Sequence, residues 1–317
     1  MSILPPPPSH GSTAEPDPAG IDVLAPNADE HGTSLWRGAF QRLVRNPVAI
    51  IGAVIVGIFV LVALFAPLLA PYEPAGAQWN NEITPSDVPG PSDEHLLGLD
   101  SFGSDLYTQL LFGARQSLVI GVVSTVIGLG VGSSIGLLAG GIGGKVDTIV
   151  MRFIDILLSI PSLLLAVSIA AVAGRTSFSV MVAIGVAQVP IFARLLRGSL
   201  LAQRGADYVL AASSLGLRRR RVVMNHMLPN SLGPVIVQAT LTLATAIIEV
   251  AALSYLGLGA PNPTVAEWGR MLVKAQTRLE SDPQLALLPG ICIAVTALGF
   301  TLLGESLREA LDPKFRR

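Results

Sequence analysis

Charge is what this sequence lacks most. Only 14% of its 317 residues are Asp, Glu, Lys or Arg, where a soluble domain carries about 25%, and this argues against a water-soluble enzyme. A single cysteine, Cys292, excludes an intramolecular disulfide framework and a cysteine-based zinc site. The histidines, His10, His31, His95 and His226, are too scattered to suggest a metal site. There is no excess of positive charge either: 21 basic against 22 acidic residues leave a net charge of −1, so nucleic acid is not an expected partner. No Ser/His/Asp, Cys/His or paired-carboxylate arrangement points to catalysis. The nearest approach to a phosphate loop, Gly140 to Lys145, has Ala139 where the first glycine belongs and Val146 in place of Ser or Thr. What is abundant is apolar residues, 51% of the chain, and they come in blocks.

Six blocks reach the ~20 residues needed to cross a bilayer core of about 30 Å. They lie near residues 48–70, 116–140, 148–173, 178–201, 231–257 and 284–306. Backbone groups inside lipid must bond within their own segment, so these blocks are expected to be helices. Ahead of them, residues 1–35 hold seven of the 23 prolines, no Phe, Trp or Tyr, and five acids without a Lys or Arg. That composition reads as a disordered tail. Trp36, Arg37, Phe40, Arg42, Leu43 and Arg45 then make a short basic amphipathic stretch, suited to an interfacial helix or to a simple positive flank.

Lys and Arg divide unevenly between the two sides: 16 of 21 fall on the side that carries both ends of the chain and the connection 202–230. By the positive-inside rule both termini are expected in the cytoplasm. The resulting organisation is a tail (1–35), an interfacial helix with the first span (36–71), an extracytoplasmic loop (72–115), a transmembrane core (116–306) with a cytoplasmic connection (202–230), and a second tail (307–317).

Connection 202–230 is polar where the rest is apolar. Asp207 is placed to cap a short helix from Tyr208 to Leu215, Gly216 to end it in a left-handed conformation, and Pro229 to set the entry into the next span. Span two carries Gly128, Gly132, Gly136 and Gly140, one small residue every four, so that helices can approach closely on that face, within the chain or across a subunit seam. Span five carries Gln238, Thr242, Thr245 and Glu249 on one narrow stripe. Leaving Glu249 ionised against lipid would cost ~3 kcal/mol or more, so the stripe faces either a translocation path or a buried hydrogen-bonded seam. Asp155, Ser159 and Ser162 form a lesser stripe on span three, where Pro161 predicts a kink. The cluster Arg218–Arg221 suits an acidic partner, lipid headgroups or topology alone.

These features carry a resemblance. Ala211, Ala212, Gly216, Leu228 and Pro229 stand at the spacings of the EAA loop of ABC-importer permeases, with Leu210 in place of its Glu and His226 in place of a branched apolar residue. Arg45-Asn-Pro47, Ala66-Pro-Leu-Leu-Ala-Pro-Tyr72, His95-Leu-Leu-Gly-Leu-Asp100, Gly113-Ala-Arg-Gln-Ser-Leu118, Asp155-Ile-Leu-Leu-Ser-Ile-Pro161, Ala252 to Gly259, Glu267-Trp-Gly-Arg270 and Leu311-Asp-Pro313 are similar to the dipeptide/oligopeptide and nickel permeases of the C-subunit type. Ser104 departs from that pattern, which has Arg there.

The resemblance implies an all-α integral membrane protein of six transmembrane helices with the MetI-like fold of type I ABC importers, in a bacterial cytoplasmic (inner) membrane. It implies one half of a heterodimer with a paralogous permease subunit, two cytoplasmic ABC ATPase subunits that carry ATP and magnesium, an extracytoplasmic substrate-binding protein, and a di- or oligopeptide substrate. On this reading the chain is not an enzyme and binds no cofactor itself, and Asp207, Tyr208, Ala211, Ala212, Gly216, Leu228 and Pro229 contact an ATPase. A nickel or other small-solute importer would carry the same motifs. An ion-coupled secondary transporter, relaying protons through Glu249 and Asp155, is the alternative from another class; it would need no capped cytoplasmic helix.

Overall fold

The computed structural model of the chain describes residues 35–74, 78–84, 88–259 and 266–311. The tail read as disordered lies outside them but for its last residue, as does Asp312-Pro313. Among the described residues regular structure is helical, apart from one isolated bridge between Leu99 and Asp105.

The basic amphipathic stretch forms α1 (Leu35–Arg45). Its Ala39 is buried while Phe40 and Val44 stay exposed, and α1 packs on α11. The Asn46 side chain accepts from the Val48 N–H and Pro47 occupies the first turn, so α2 (Pro47–Leu69) starts where a proline is tolerated best. Most of α2 is apolar surface, Ile51, Ile58 and Leu68 among it, as a lipid-facing helix requires.

Helix α3 (Leu106–Ile142) is 37 residues long and begins ten residues before the predicted start at 116. The Asp105 carboxylate accepts from the Thr108 N–H and sets that start. Span three corrects the expected kink: it is two helices, α4 (Gly144–Leu158) and α5 (Ser162–Ala173), bent by 91° across the break. Pro161 has no N–H to continue the helix and pushes the residue before it out of helical geometry. Among the described residues five helices are long and apolar enough to cross a membrane, and a sixth if the bent pair is one span.

Helices α6 (Ser177–Gln203) and α7 (Asp207–Ser214) follow. Helix α8 (Arg219–Val222) runs through a π turn (Val223–Met227) into α9 (Leu228–Tyr255), so helix extends well ahead of the predicted start at 231. The wider turn, closed by the Leu228 N–H on the Val223 carbonyl, sits where the ring of Pro229 would otherwise press on the preceding turn. The short α10 (Trp268–Ala275) and the long α11 (Gln284–Leu311) complete the bundle.

The bundle is organised around α3 and α6. Gly128, Gly132, Gly136 and Gly140 are all buried. A methyl group on Gly132 would lie 2.5 Å from the Val189 carbonyl, and one on Gly136 2.5 Å from that of Ala193. The glycine row therefore faces α6 of the same chain, with backbone on backbone.

Candidate functional site

Three regions bring together the residues that the sequence singles out. The first is α7. It begins one residue earlier than expected, and Asp207 is not its cap: Ala206 is the capping residue, without a side-chain bond, and Asp207 sits in the first turn. Its charge still suits the positive end of the helix dipole there. The other end matches the expectation. Gly216 has φ +77°, its N–H bonds the Ser213 carbonyl at 3.0 Å, and the Leu217 N–H bonds the Ala212 carbonyl at 3.3 Å. These are the paired closing bonds of a left-handed helix stop.

Val209 and Ala212 turn inward and are buried with Phe192, Leu196, Val222 and Met227. The outer side of the segment carries Tyr208, Leu210 and Leu215, 39, 53 and 82% exposed, beside exposed Ala211. An eight-residue helix too short to be stable alone is thus anchored by two side chains and presents an apolar surface outward. Leu228 is half-buried and Pro229 exposed behind it, and Arg218–Arg221 are all exposed.

The second region is the stripe on α9, which is not uniform. Gln238 donates to the Thr242 hydroxyl at 3.1 Å and Thr242 is buried, whereas Thr245 is exposed and donates to the Thr242 carbonyl at 2.9 Å. Glu249 is buried and accepts from Ser162 Oγ at 2.8 Å. Its second oxygen is buried without a hydrogen-bond partner among the described residues. The two stripes that looked independent in sequence therefore meet at Ser162. Asp155 and Ser159 do not join them: Asp155 pairs with Arg194, and the Ser159 hydroxyl bonds back to the Ile156 carbonyl.

The third region, at the opposite end of the bundle from α7, contains residues not weighed individually from sequence. Asp100 Oδ1 accepts from the N–H groups of Phe102 and Ser104, and its Oδ2 accepts from Lys274 Nζ at 2.9 Å. His95 Nδ1 lies 3.1 Å from Asp105 Oδ1, and its ring meets that of Trp79 edge-on at 4.5 Å. Trp268 is fully buried, donates to the Leu110 carbonyl at 3.1 Å, and lies so close to Gly113 that a methyl there would be 2.6 Å from the ring. Beside it the buried Glu267 carboxylate accepts from the Gly269 N–H at 2.9 Å and from Ser254. Burial pushes its carboxyl above the usual range, although Ser254, that N–H and Arg270 pull the other way. The signals for this cap were the motifs around His95, Gly113 and Glu267, which pair segments more than 150 residues apart.

Comparison with known proteins adds to this geometry. The family profile described as "Binding-protein-dependent transport system inner membrane component" matches residues 132–317. The profile for the N-terminal transmembrane domain of oligopeptide transport permease C matches residues 34–86. The dipeptide transport system permease protein DppC of Alkalihalophilus pseudofirmus is 42% identical over 92% of this chain and 94% of its own length. The oligopeptide transport system permease protein OppC of Bacillus subtilis is 37% identical over 90% of this chain and 91% of its own. In structure the chain is similar to a chain of the inward-facing MetNI methionine ABC transporter, with a TM-score of 0.55 at 18% identity, covering 65% of this chain and 98% of that one. This last likeness speaks to the fold alone.

Proposed function

Since the chain belongs to the family of binding-protein-dependent transport inner-membrane components, we propose that it is the C-type permease subunit of an ABC importer for di- or oligopeptides. It supplies half of a transmembrane pathway and takes its energy from separate ATPases. Full-length relatives named for dipeptide and oligopeptide transport support the substrate class.

The single observation that carries the coupling role is α7: a short helix pinned by Val209 and Ala212, closed by Gly216, and apolar on the outward side at Tyr208, Leu210 and Leu215. Such a surface calls for a protein groove to cover it. A groove on a cytoplasmic ATPase fits, and on this reading α7, Arg218–Arg221 and both termini lie in the cytoplasm. ATP-driven closure of the two ATPases then pushes on α7, and α7 moves α6 and the π-turned start of α9, against which it is packed. With Leu210 in place of the family Glu, apolar contact replaces an acidic one at this seat.

Of the stripe on α9, half-buried Gln238 and exposed Thr245 are what this chain contributes to the wall of the path, with Thr242 and Glu249 buried behind them. Thr245 is the exposed member that a substrate would meet first; a paralogous permease subunit completes the other wall. The cap around Asp100, His95 and Trp268 is the surface offered to an extracytoplasmic binding protein. Cysteine at Leu210 in the assembled transporter tests the seat. Disulfide or short-linker cross-linking should join it to an ATPase subunit, with Met224 cysteine, exposed on the neighbouring π turn, as the comparison. Absence of any cross-link to an ATPase from Leu210 would remove the coupling role.

A further inference from the structure

On the α7 end of the bundle, α4 and α6 form an open cavity of about 390 Å³ lined by Thr148, Met151, Arg152, Asp155, Arg194 and Arg197. Three guanidinium groups meet there. Arg194 pairs with Asp155 and Arg197 with Asp147, the latter through two bonds. Arg152 is exposed and makes no ion pair among the described residues. The cavity wall thus keeps one positive charge uncompensated. The Arg194–Asp155 pair is itself 58 and 45% exposed, and a pair so wet holds its partners weakly, which leaves Arg194 able to share its donors.

One residue further along α4, Ile149, Phe153 and Ile156 are 70, 61 and 58% exposed. They stand at i, i+4 and i+7 and form an apolar stripe about 100° around the helix from Thr148, Arg152 and Asp155. An exposed, unpaired guanidinium at a polar cavity and an exposed apolar stripe therefore lie side by side on α4, the helix with which span three is expected to begin. A ligand that satisfies both needs an anionic head and an apolar tail.

We infer that this cavity binds the headgroup phosphate of an anionic phospholipid, with Arg152 and Arg194 on the phosphate and the acyl chains along Ile149, Phe153 and Ile156. A guanidinium fork matches phosphate oxygens in geometry and charge. A zwitterionic lipid offers the same phosphate, but its ammonium would add positive charge to a cluster that already has an excess. Free inorganic phosphate could use the arginines but gains nothing from the stripe. Binding there does not depend on what the transporter carries.

The test uses the assembled transporter in phosphatidylcholine nanodiscs doped with phosphatidylglycerol, with Phe153→Trp as reporter and the native tryptophans as background. Brominated phosphatidylglycerol should quench the reporter as though enriched about fivefold over brominated phosphatidylcholine, the effect of one basic contact at a bilayer surface. Arg152→Gln should abolish the preference and Arg152→Lys keep part of it. Inorganic phosphate at millimolar concentration should leave the preference unchanged. Equal quenching by the two lipids, no quenching by either, or no effect of Arg152→Gln would overturn the proposal. Displacement by inorganic phosphate would overturn the lipid and assign the cavity to a free anion.

Discussion

Ser162 Oγ donates to Glu249 Oε1 at 2.8 Å, and that bond ties the break in span three to the polar stripe of α9. Pro161 stands at the N-terminal cap of α5, so Ser162 is the first residue after the break, and it is its hydroxyl that reaches the carboxylate. The pair should therefore be energetically coupled. A double-mutant cycle with Ser162→Ala and Glu249→Gln, read by chemical unfolding in detergent, should return an interaction of about 1–2 kcal/mol. Strict additivity would mean that the contact contributes nothing to the fold.

Gly216 tests coupling at the end of α7. A side chain there meets no other atom within 4 Å, but φ is +77°, so any penalty is backbone strain alone. Gly216→Val should loosen the helix stop by at least about 1–2 kcal/mol. The protein should stay in the membrane while peptide transported per ATP falls. Asn tolerates the left-handed region, so Gly216→Asn should keep most of the coupling. Equal coupling in both variants would contradict the role given to α7.

The glycine row predicts a contrast within one helix. Gly136 is pressed on the Ala193 backbone, whereas Gly130 on the same helix has open space around it. Gly136→Ala should destabilise by about 1–3 kcal/mol through overpacking. Gly130→Ala should be neutral or stabilise by up to about 1 kcal/mol through helix propensity. Thermal unfolding of both variants in one detergent checks the pair.

Glu267 carries a pH signature. Its folded-state affinity for a proton is raised mainly by burial, so the folded state binds the proton over a range where the unfolded chain has released it. The contribution to stability is complete below the unfolded value of ~4.3 and is lost as pH rises through the folded value. Glu267→Gln should flatten that fall, because the amide oxygen still accepts from Gly269 and carries no charge. Unfolding curves from acid to neutral pH that are parallel for the two proteins would contradict this.

Much of the bundle could be read from apolar runs and punctuation. Gly216 was legible as a stop because helix closure is a local matter, while the caps at Asn46 and Thr176 emerged only from the structure. The early start of α3 was hidden because Leu106 to Arg115 carries polar residues satisfied by the cap rather than by water: Gln109 bonds the Pro74 carbonyl, for example. Asp207 was given a capping role that Ala206 occupies, since composition cannot register a helix to one residue. The Ser162–Glu249 contact was out of reach for another reason. Each stripe was visible alone, but their meeting depends on the 91° bend, which a single proline permits without dictating its angle.

The central claim is that this chain is a permease driven by ATP on other subunits, and reconstitution tests it most directly. Proteoliposomes holding the chain with its partner permease, the two ATPases and the binding protein should accumulate a di- or oligopeptide when ATP is present on the ATPase side, and the chain purified alone should hydrolyse no ATP. Peptide uptake by the chain alone under a proton gradient, without ATPases, would contradict the account and establish the ion-coupled alternative.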